Sequence, residues 1–216
     1  MNTKHIITDK NYYISGGCNI FWSECKDSIW IDRIEKNDSG DEPVFYIPNT
    51  INGKPVTDIS LDTVFGLYPK GRIIAEEDNE YFCVKDGSLF TKDMKEMIFL
   101  APDKNYGTVI VPDGVEVILE DALIGHYENL VLPEGCSVIA QYGLDSRELK
   151  RLYLPKSIER FCFKAFIGVS PEEVFYGGSE QDRANIDNCD DNFNSGVTDA
   201  KWHYNCPMPK TEDDIN

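Results

Sequence analysis

No stretch of this 216-residue chain approaches the ~20 consecutive apolar residues that a membrane-crossing helix needs, so no such helix is expected. The opening residues Met1–Asp9 hold no apolar core long enough for a secretory leader. As written, the chain is expected in the cytoplasm; one already trimmed of its leader would be secreted or held at the cell surface. Positive charge is scarce: 21 Lys and Arg stand against 38 Asp and Glu, a net charge of -17. Such a surface repels phosphate backbones and anionic head groups, so neither nucleic acid nor membrane insertion is expected. The CxxC pattern is missing. The seven cysteines are odd in number and scattered from Cys18 to Cys206, which argues against a disulfide framework. Histidine is rare, with His5, His126 and His203 alone, and none sits in a nucleophile motif. Neither a G-x-S-x-G nor an H-E-x-x-H nor a phosphate loop occurs. No enzyme and no cofactor are expected. What remains is 41% hydrophobic and 12% aromatic, an ordinary globular composition tilted toward strands.

The strongest positive signal is self-similarity. The phrases Val109-Ile110-Val111-Pro112, Leu130-Val131-Leu132-Pro133 and Leu152-Tyr153-Leu154-Pro155 place their prolines 21 and then 22 residues apart. Val174-Phe175-Tyr176-Gly177 repeats the phrase with Gly for Pro, and Phe45-Tyr46-Ile47-Pro48 is an earlier copy. Downstream of each proline, apolar or small residues recur at offsets +3, +6, +10 and +11. They are Val115, Ile118, Ala122 and Leu123; then Cys136, Ile139, Gly143 and Leu144; then Ile158, Phe161, Ala165 and Phe166. A short strand puts its first and third residues on one side and its middle residue on the other. Proline then ends the strand, because it has no N–H to donate. One such unit cannot bury its apolar face alone; stacked units can. The expected fold is a leucine-rich-repeat solenoid, mainly β with short parallel strands and little helix. Leu132, Leu154, Ile118, Ile139 and Phe161 are expected in its core.

These phrases resemble the BspA-type leucine-rich repeats of bacteria. Leu149 through Leu154-Pro155 to Ala165-Phe166 looks like a complete copy of that family's unit, and Pro48–Thr57 resembles its longer opening repeat. Phe175–Ser179 and Trp202–Asn205 resemble its closing segment. Leu123 and Leu144 depart from the family's usual Phe. The resemblance covers roughly residues 45–206. It implies protein binding, since members include surface adhesins and host-contact proteins.

The chain divides by pattern. Residues 1–44 lie outside the repeat and read as an N-terminal β cap. Residues 45–176 are repeats, interrupted at about 79–106 by a β-hairpin insertion turning at Asp86-Gly87. Residues 177–206 read as a closing segment, and 207–216 as a flexible tail.

Two metal constellations fall short. Asp190, Asn192 and Asn194 match the first ligand positions of a calcium loop. Ser195 stands where that loop needs glycine, and Lys201 where it needs a bidentate carboxylate, so an Asx-rich turn is expected. Cys189, His203 and Cys206 lack a fourth ligand and tight spacing, so a packed closing segment is expected rather than zinc. The candidate site is a surface instead. Tyr46, Ile110, Val131, Tyr153 and Phe175 are the middle, outward residues of the repeat phrases and should form a partly exposed apolar row. Val44, Thr108, Asn129, Arg151 and Glu173 flank it. An apolar row on an open sheet face marks an interface, with Arg151 its charged neighbour. The expected function is non-catalytic protein binding; the alternatives are a structural or self-associating module, or an enzyme with an unrecognised site.

Overall fold

The computed structural model describes residues 6–7, 11–37, 40, 43–59, 71–101, 105–189 and 192–215. They form two compact units, residues 1–93 with 100–104, and residues 94–99 with 105–216.

In the first unit, β1 (Ile6–Ile7), β2 (Tyr12–Ser15), β3 (Cys18–Glu24) and β4 (Ile29–Lys36) form an antiparallel meander. The alternation of β3 buries Cys18, Ile20 and Trp22 on one face. β5 (Val44–Ile47), β6 (Thr50–Ile51), β7 (Lys54–Ile59) and β8 (Arg72–Ala75) follow. β7 pairs with β4 in parallel and with β6 as a hairpin, so the meander's sheet runs past residue 44 into the first repeat. β5 pairs with β8 in parallel, setting Tyr46 opposite Ile74. Ile73-Ile74-Ala75 is thus a further coil strand that its sequence, lacking proline, did not advertise. β9 (Phe82–Lys85) and β10 (Ser88–Thr91) make the hairpin, with Asp86 and Gly87 at φ +50° and +81°. Positive φ at both central residues is what a tight two-residue turn needs.

The second unit is the solenoid. Its strands in chain order are β11 (Glu96–Phe99), β12 (Asn105–Ile110), β13 (Val117–Ile118), β14 (Leu123–Ile124), β15 (His126–Val131), β16 (Val138–Ile139), β17 (Leu144–Asp145), β18 (Arg151–Leu154), β19 (Arg160–Phe161), β20 (Glu173–Tyr176), β21 (Asp187–Asn188) and β22 (Lys201–His203). Two single-turn helices, α1 (Glu180–Arg183) and α2 (Ser195–Thr198), lie in the last coil. Equivalent strands of successive coils pair in parallel. β12, β15, β18, β20 and β22 make one ladder, and β11, β13, β16, β19 and β21 another. β14 and β17 make a third, short one. The register is the one the sequence repeat specifies: Ile118 sits opposite Ile139 and Ile139 opposite Phe161. All three are buried, as are Leu132 and Leu154.

The corner of each coil has a backbone device that the spacing of apolar residues does not show. Asp121, Tyr142 and Lys164, each nine residues past its proline, have φ of +54°, +55° and +56°. Each is the third residue of a turn closed by the next N–H, Ala122 to Leu119, Gly143 to Ala140 and Ala165 to Cys162. A turn with positive φ at its third residue would ordinarily take glycine or asparagine. Here the strain of a left-handed residue, ~1 kcal/mol or more each, is offset by a ladder between coils. The Asp121 N–H donates to the Tyr142 carbonyl, and the Tyr142 N–H to that of Lys164, both at 3.2 Å. The small residue after each corner is fully buried at Ala122 and Ala165. At Gly143 a Cβ would meet Ile139 Cγ2 at 2.8 Å and the Ala140 carbonyl at 3.0 Å, so the middle coil needs the glycine.

Among the described residues no helix is long and apolar enough to cross a membrane.

Candidate interaction face

The long parallel ladder carries the candidate face. Its register places Ile110 opposite Val131, Val131 opposite Tyr153, Tyr153 opposite Phe175, and Phe175 opposite His203. The residues just before them, Val109, Leu130, Leu152 and Val174, point into the coil and are buried. Parallel strands lie ~4.8 Å apart, a spacing that suits stacked rings. Tyr153 stacks on Phe175 with centroids 4.8 Å apart and planes 13° apart, and Phe175 on the His203 imidazole at 4.7 Å and 9°.

The flanking line is polar and runs Thr108, Asn129, Arg151, Glu173, Lys201. Asn129 Nδ2 donates to Thr108 Oγ1 at 3.2 Å, and Arg151 is exposed. Glu173 Oε1 lies 3.0 Å from both Lys201 Nζ and His203 Nε2. Their hydrogen bonds, that of Lys201 first, hold its carboxyl below the usual carboxylate range.

Among the described strand pairings Tyr46 is not set opposite a residue of this row. It lies in the first unit, paired with Ile74, and its hydroxyl donates to Glu76 Oε1 at 2.5 Å. Glu76 Oε2 also accepts the Asn49 N–H at 2.8 Å. The row is also less open than a half-solvated sheet should be. Ile110 and Phe175 are half-buried, but Val131 is only 2% exposed and Tyr153 6%.

Residues 205–206 of the expected closing segment and 208–210 of the expected tail lie against the ladder, the latter beside Val131. After His203 the chain turns back across the outer face. Asn205 N–H donates to the Gly178 carbonyl at 2.9 Å and Cys206 N–H to that of Tyr176 at 3.0 Å. Burial raises the pKa of the Tyr153 phenol above its ordinary value. Met208, Pro209 and Lys210 then wall a cavity of about 220 Å³ against Ile110, Val131 and the rim residues Asp113 and Glu134. Pro209 is buried, and residues 212–215 close a 3₁₀ turn. The repeat's one Pro-to-Gly exchange acquires a reason here. Gly177 N–H donates to Leu154 O at 2.9 Å, and a Cβ on it would meet the Lys156 nitrogen at 2.9 Å and the Cys206 carbonyl at 3.5 Å. Proline has no N–H to give and no room for its ring.

Of the calcium-like set, Asp190 lies outside the described residues. Asn194 is fully buried: its Oδ1 accepts the Phe166 N–H at 3.2 Å, while Nδ2 donates to Cys162 O at 3.2 Å and Asn188 Oδ1 at 2.7 Å. The side chain that imitated a calcium ligand fastens the last coil. His203 is engaged by Glu173, Cys206 Sγ by the Tyr204 carbonyl and Cys189 Sγ by Asp187. No group of three or more His, Cys, Asp or Glu is placed to hold a metal among the described residues.

Sequence reasoning missed three features. His203 is the fifth member of the row; the alternation of Trp202-His203-Tyr204 could have placed it. Of the strap 204–210, residues 204–206 were read as part of the closing segment, but 207–210 follow no repeat and carried no signal. An exposed cluster at a coil corner also emerged, in which Lys164 Nζ lies 4.9 Å from the Phe163 ring centroid and 4.7 Å from that of Phe193.

Parallel ladders in the repeat register, a buried apolar stripe per coil and almost no helix define a leucine-rich-repeat fold. No protein-family model matches the chain, and no curated protein does. Solved structures do. A leucine-rich repeat protein from Eubacterium ventriosum aligns with a TM-score of 0.52 at 11% identity, covering 69% of this chain and 42% of that one. The pneumococcal vaccine antigen PcpA aligns at 0.47 and 19%, covering 63% and 39%. A leucine-rich cell surface protein from Faecalibacterium prausnitzii aligns at 0.36 and 14%, covering 73% and 54%. The chain therefore spans about half or less of each. The first likeness supports the fold.

Proposed function

We propose that this chain is a non-catalytic protein-interaction module of a bacterial BspA-type leucine-rich repeat protein, binding through the outer face of the β12–β15–β18–β20–β22 ladder. The observation that carries the reading is the unbroken row Ile110, Val131, Tyr153, Phe175 and His203, apolar or aromatic at every strand but outside the coil interior. A solvated antiparallel or edge face ordinarily turns polar side chains outward. An apolar line rimmed by Arg151 and Lys201 has the composition of an interface, with anchors at the centre and charge at the edge. The test is selection of ligands from a displayed peptide library on the immobilised chain, followed by titration against Ile110→Asp and Phe175→Asp. Both positions are half-buried, so the variants should fold. Selected ligands should lose at least about tenfold in affinity on one or both. Ligands that bind both variants as tightly as the parent would end the reading.

A further inference from the structure

Part of the chain itself lies against this face, where Met208, Pro209 and Lys210 share a cavity with Ile110 and Val131. The strap is tied to the ladder at its root, by the Asn205 and Cys206 N–H groups. Farther on, Lys210 and Thr211 direct their N–H groups not to the sheet but to Asp214, whose Oδ2 accepts both at 2.9 Å and the Thr211 hydroxyl at 3.0 Å. Between root and turn Met208 and Pro209 line the cavity with Ile110 and Val131, Pro209 buried and Met208 half-buried, while Pro207 is exposed. A cleft of roughly 220 Å³, open to solvent, remains between Met208, Pro209 and the row residues Ile110 and Val131, with Pro112 and Pro133 at the strand ends. Two carboxylates, Asp113 and Glu134, both exposed, stand at the rim with Lys210 as the cation beside them. The chain as a whole carries a charge of -17, so an acidic occupant would be repelled.

We propose that residues 204–210 are a built-in, displaceable ligand of this face, and that the face takes in their place an extended, proline-bearing, basic peptide segment of a partner protein. This rests on the face reading above and adds the partner's chemistry. Proline suits the strap's place because the occupant there needs no N–H for a ladder and loses little entropy on binding. A basic residue suits Asp113 and Glu134. A larger apolar side chain than the strap offers would occupy the remaining cavity. Closure by the strap lowers the apparent affinity for any competitor by the fraction of molecules in which the face is free.

The probe is a labelled synthetic peptide of residues 204–211, with Ser in place of Cys206, titrated by fluorescence anisotropy against the full chain. In the strap-release variant Met208→Asp/Pro209→Asp it should bind at least about tenfold more tightly than in the parent. A peptide carrying Glu at the Lys210 position should bind more weakly, as should the parent peptide in 0.5 M salt or with Asp113→Asn/Glu134→Gln in the full chain. Circular dichroism melting establishes that each variant is folded, and Met208→Ser/Pro209→Ser replaces the Asp pair if that pair unfolds. Equal affinity for parent and released chains overturns the strap, as does the absence of binding to either. The outcome for the face itself is separate. If library-selected ligands are lost on Ile110→Asp while the strap peptide fails to bind, only the strap proposal falls. If the strap peptide binds the released chain and is indifferent to Ile110→Asp, the strap does not sit on the row and its proposal falls; the face reading falls only if the selected ligands are also indifferent to both Ile110→Asp and Phe175→Asp.

Discussion

A single methylene or amide decides a good deal in this chain, and adjacent residues carry opposite duties. Leu154 points into the coil and Tyr153 out of it, yet both are nearly inaccessible. Leu154→Ala should cost about 2–5 kcal/mol by emptying a packed site. On an open face Tyr153→Ser would cost little. With only 6% of it exposed and Phe175 stacked on it, the loss should be about 2–4 kcal/mol. Urea unfolding of the two variants checks this, and a Tyr153→Ser midpoint equal to the parent's would show that the strap does not cover the row. Asn194 makes the same point in polar terms. Asn194→Ala leaves the Phe166 N–H and the Cys162 carbonyl without its amide, at about 2–4 kcal/mol. EDTA should leave the parent's melting temperature where it is, because that amide is spent on protein groups. A drop with EDTA that calcium restores would contradict the assignment.

Elements here are too short to stand alone, and each is held by something beyond its own hydrogen bonds. The four-residue α1 begins at Ser179, whose hydroxyl accepts the Asp182 N–H at 3.1 Å while Asp182 accepts the Ser179 N–H at 2.8 Å. This is a capping box. The Ser179 N–H, then its hydroxyl, then Lys156 hold the Asp182 carboxyl down to about 2. A depressed folded-state pKa means that the cap's contribution is fully present above the unfolded value, near 4, and is lost as pH falls through about 2. A carbon-detected NMR titration of the aspartates should find Asp182 as one of the last to protonate. A midpoint near 4 would deny the box. The coil corners were not legible because Asp121, Tyr142 and Lys164 share a backbone conformation but no residue type. The repeat's small-residue position, by contrast, could be read from Ala122, Gly143 and Ala165, because close packing admits few residue types.

At the scale of the molecule the balance of charge matters most. With 38 acids against 21 bases, self-repulsion destabilises the folded chain. Raising NaCl from 0.05 to 0.5 M shortens the screening length severalfold and should raise the melting temperature by a few degrees, about 2–4 °C for each kcal/mol relieved. A fall would mean that pairs such as Lys95–Glu116, Lys150–Glu128 and Arg160–Asp187, which bridge neighbouring coils, outweigh the repulsion.

The sequence by itself determined the solenoid. A strand phrase ended by proline and followed by apolar residues at constant offsets has one economical solution, which is to stack. The side-chain period of two then settles which residue of each phrase is buried in the coil and which is not. Ile118, Ile139 and Phe161 were legible for that reason, and so was the register of Ile110, Val131, Tyr153 and Phe175. Only the tertiary structure decided what becomes of the outer face. The strap's place depends on residues far apart in sequence, such as Met208 and Ile110, which line one cavity, and Cys206, whose N–H bonds to Tyr176, and no local period encodes them. Tyr46 repeats the phrase perfectly and still belongs to another unit, because strand pairing, not similarity of phrase, assigns a residue to a sheet.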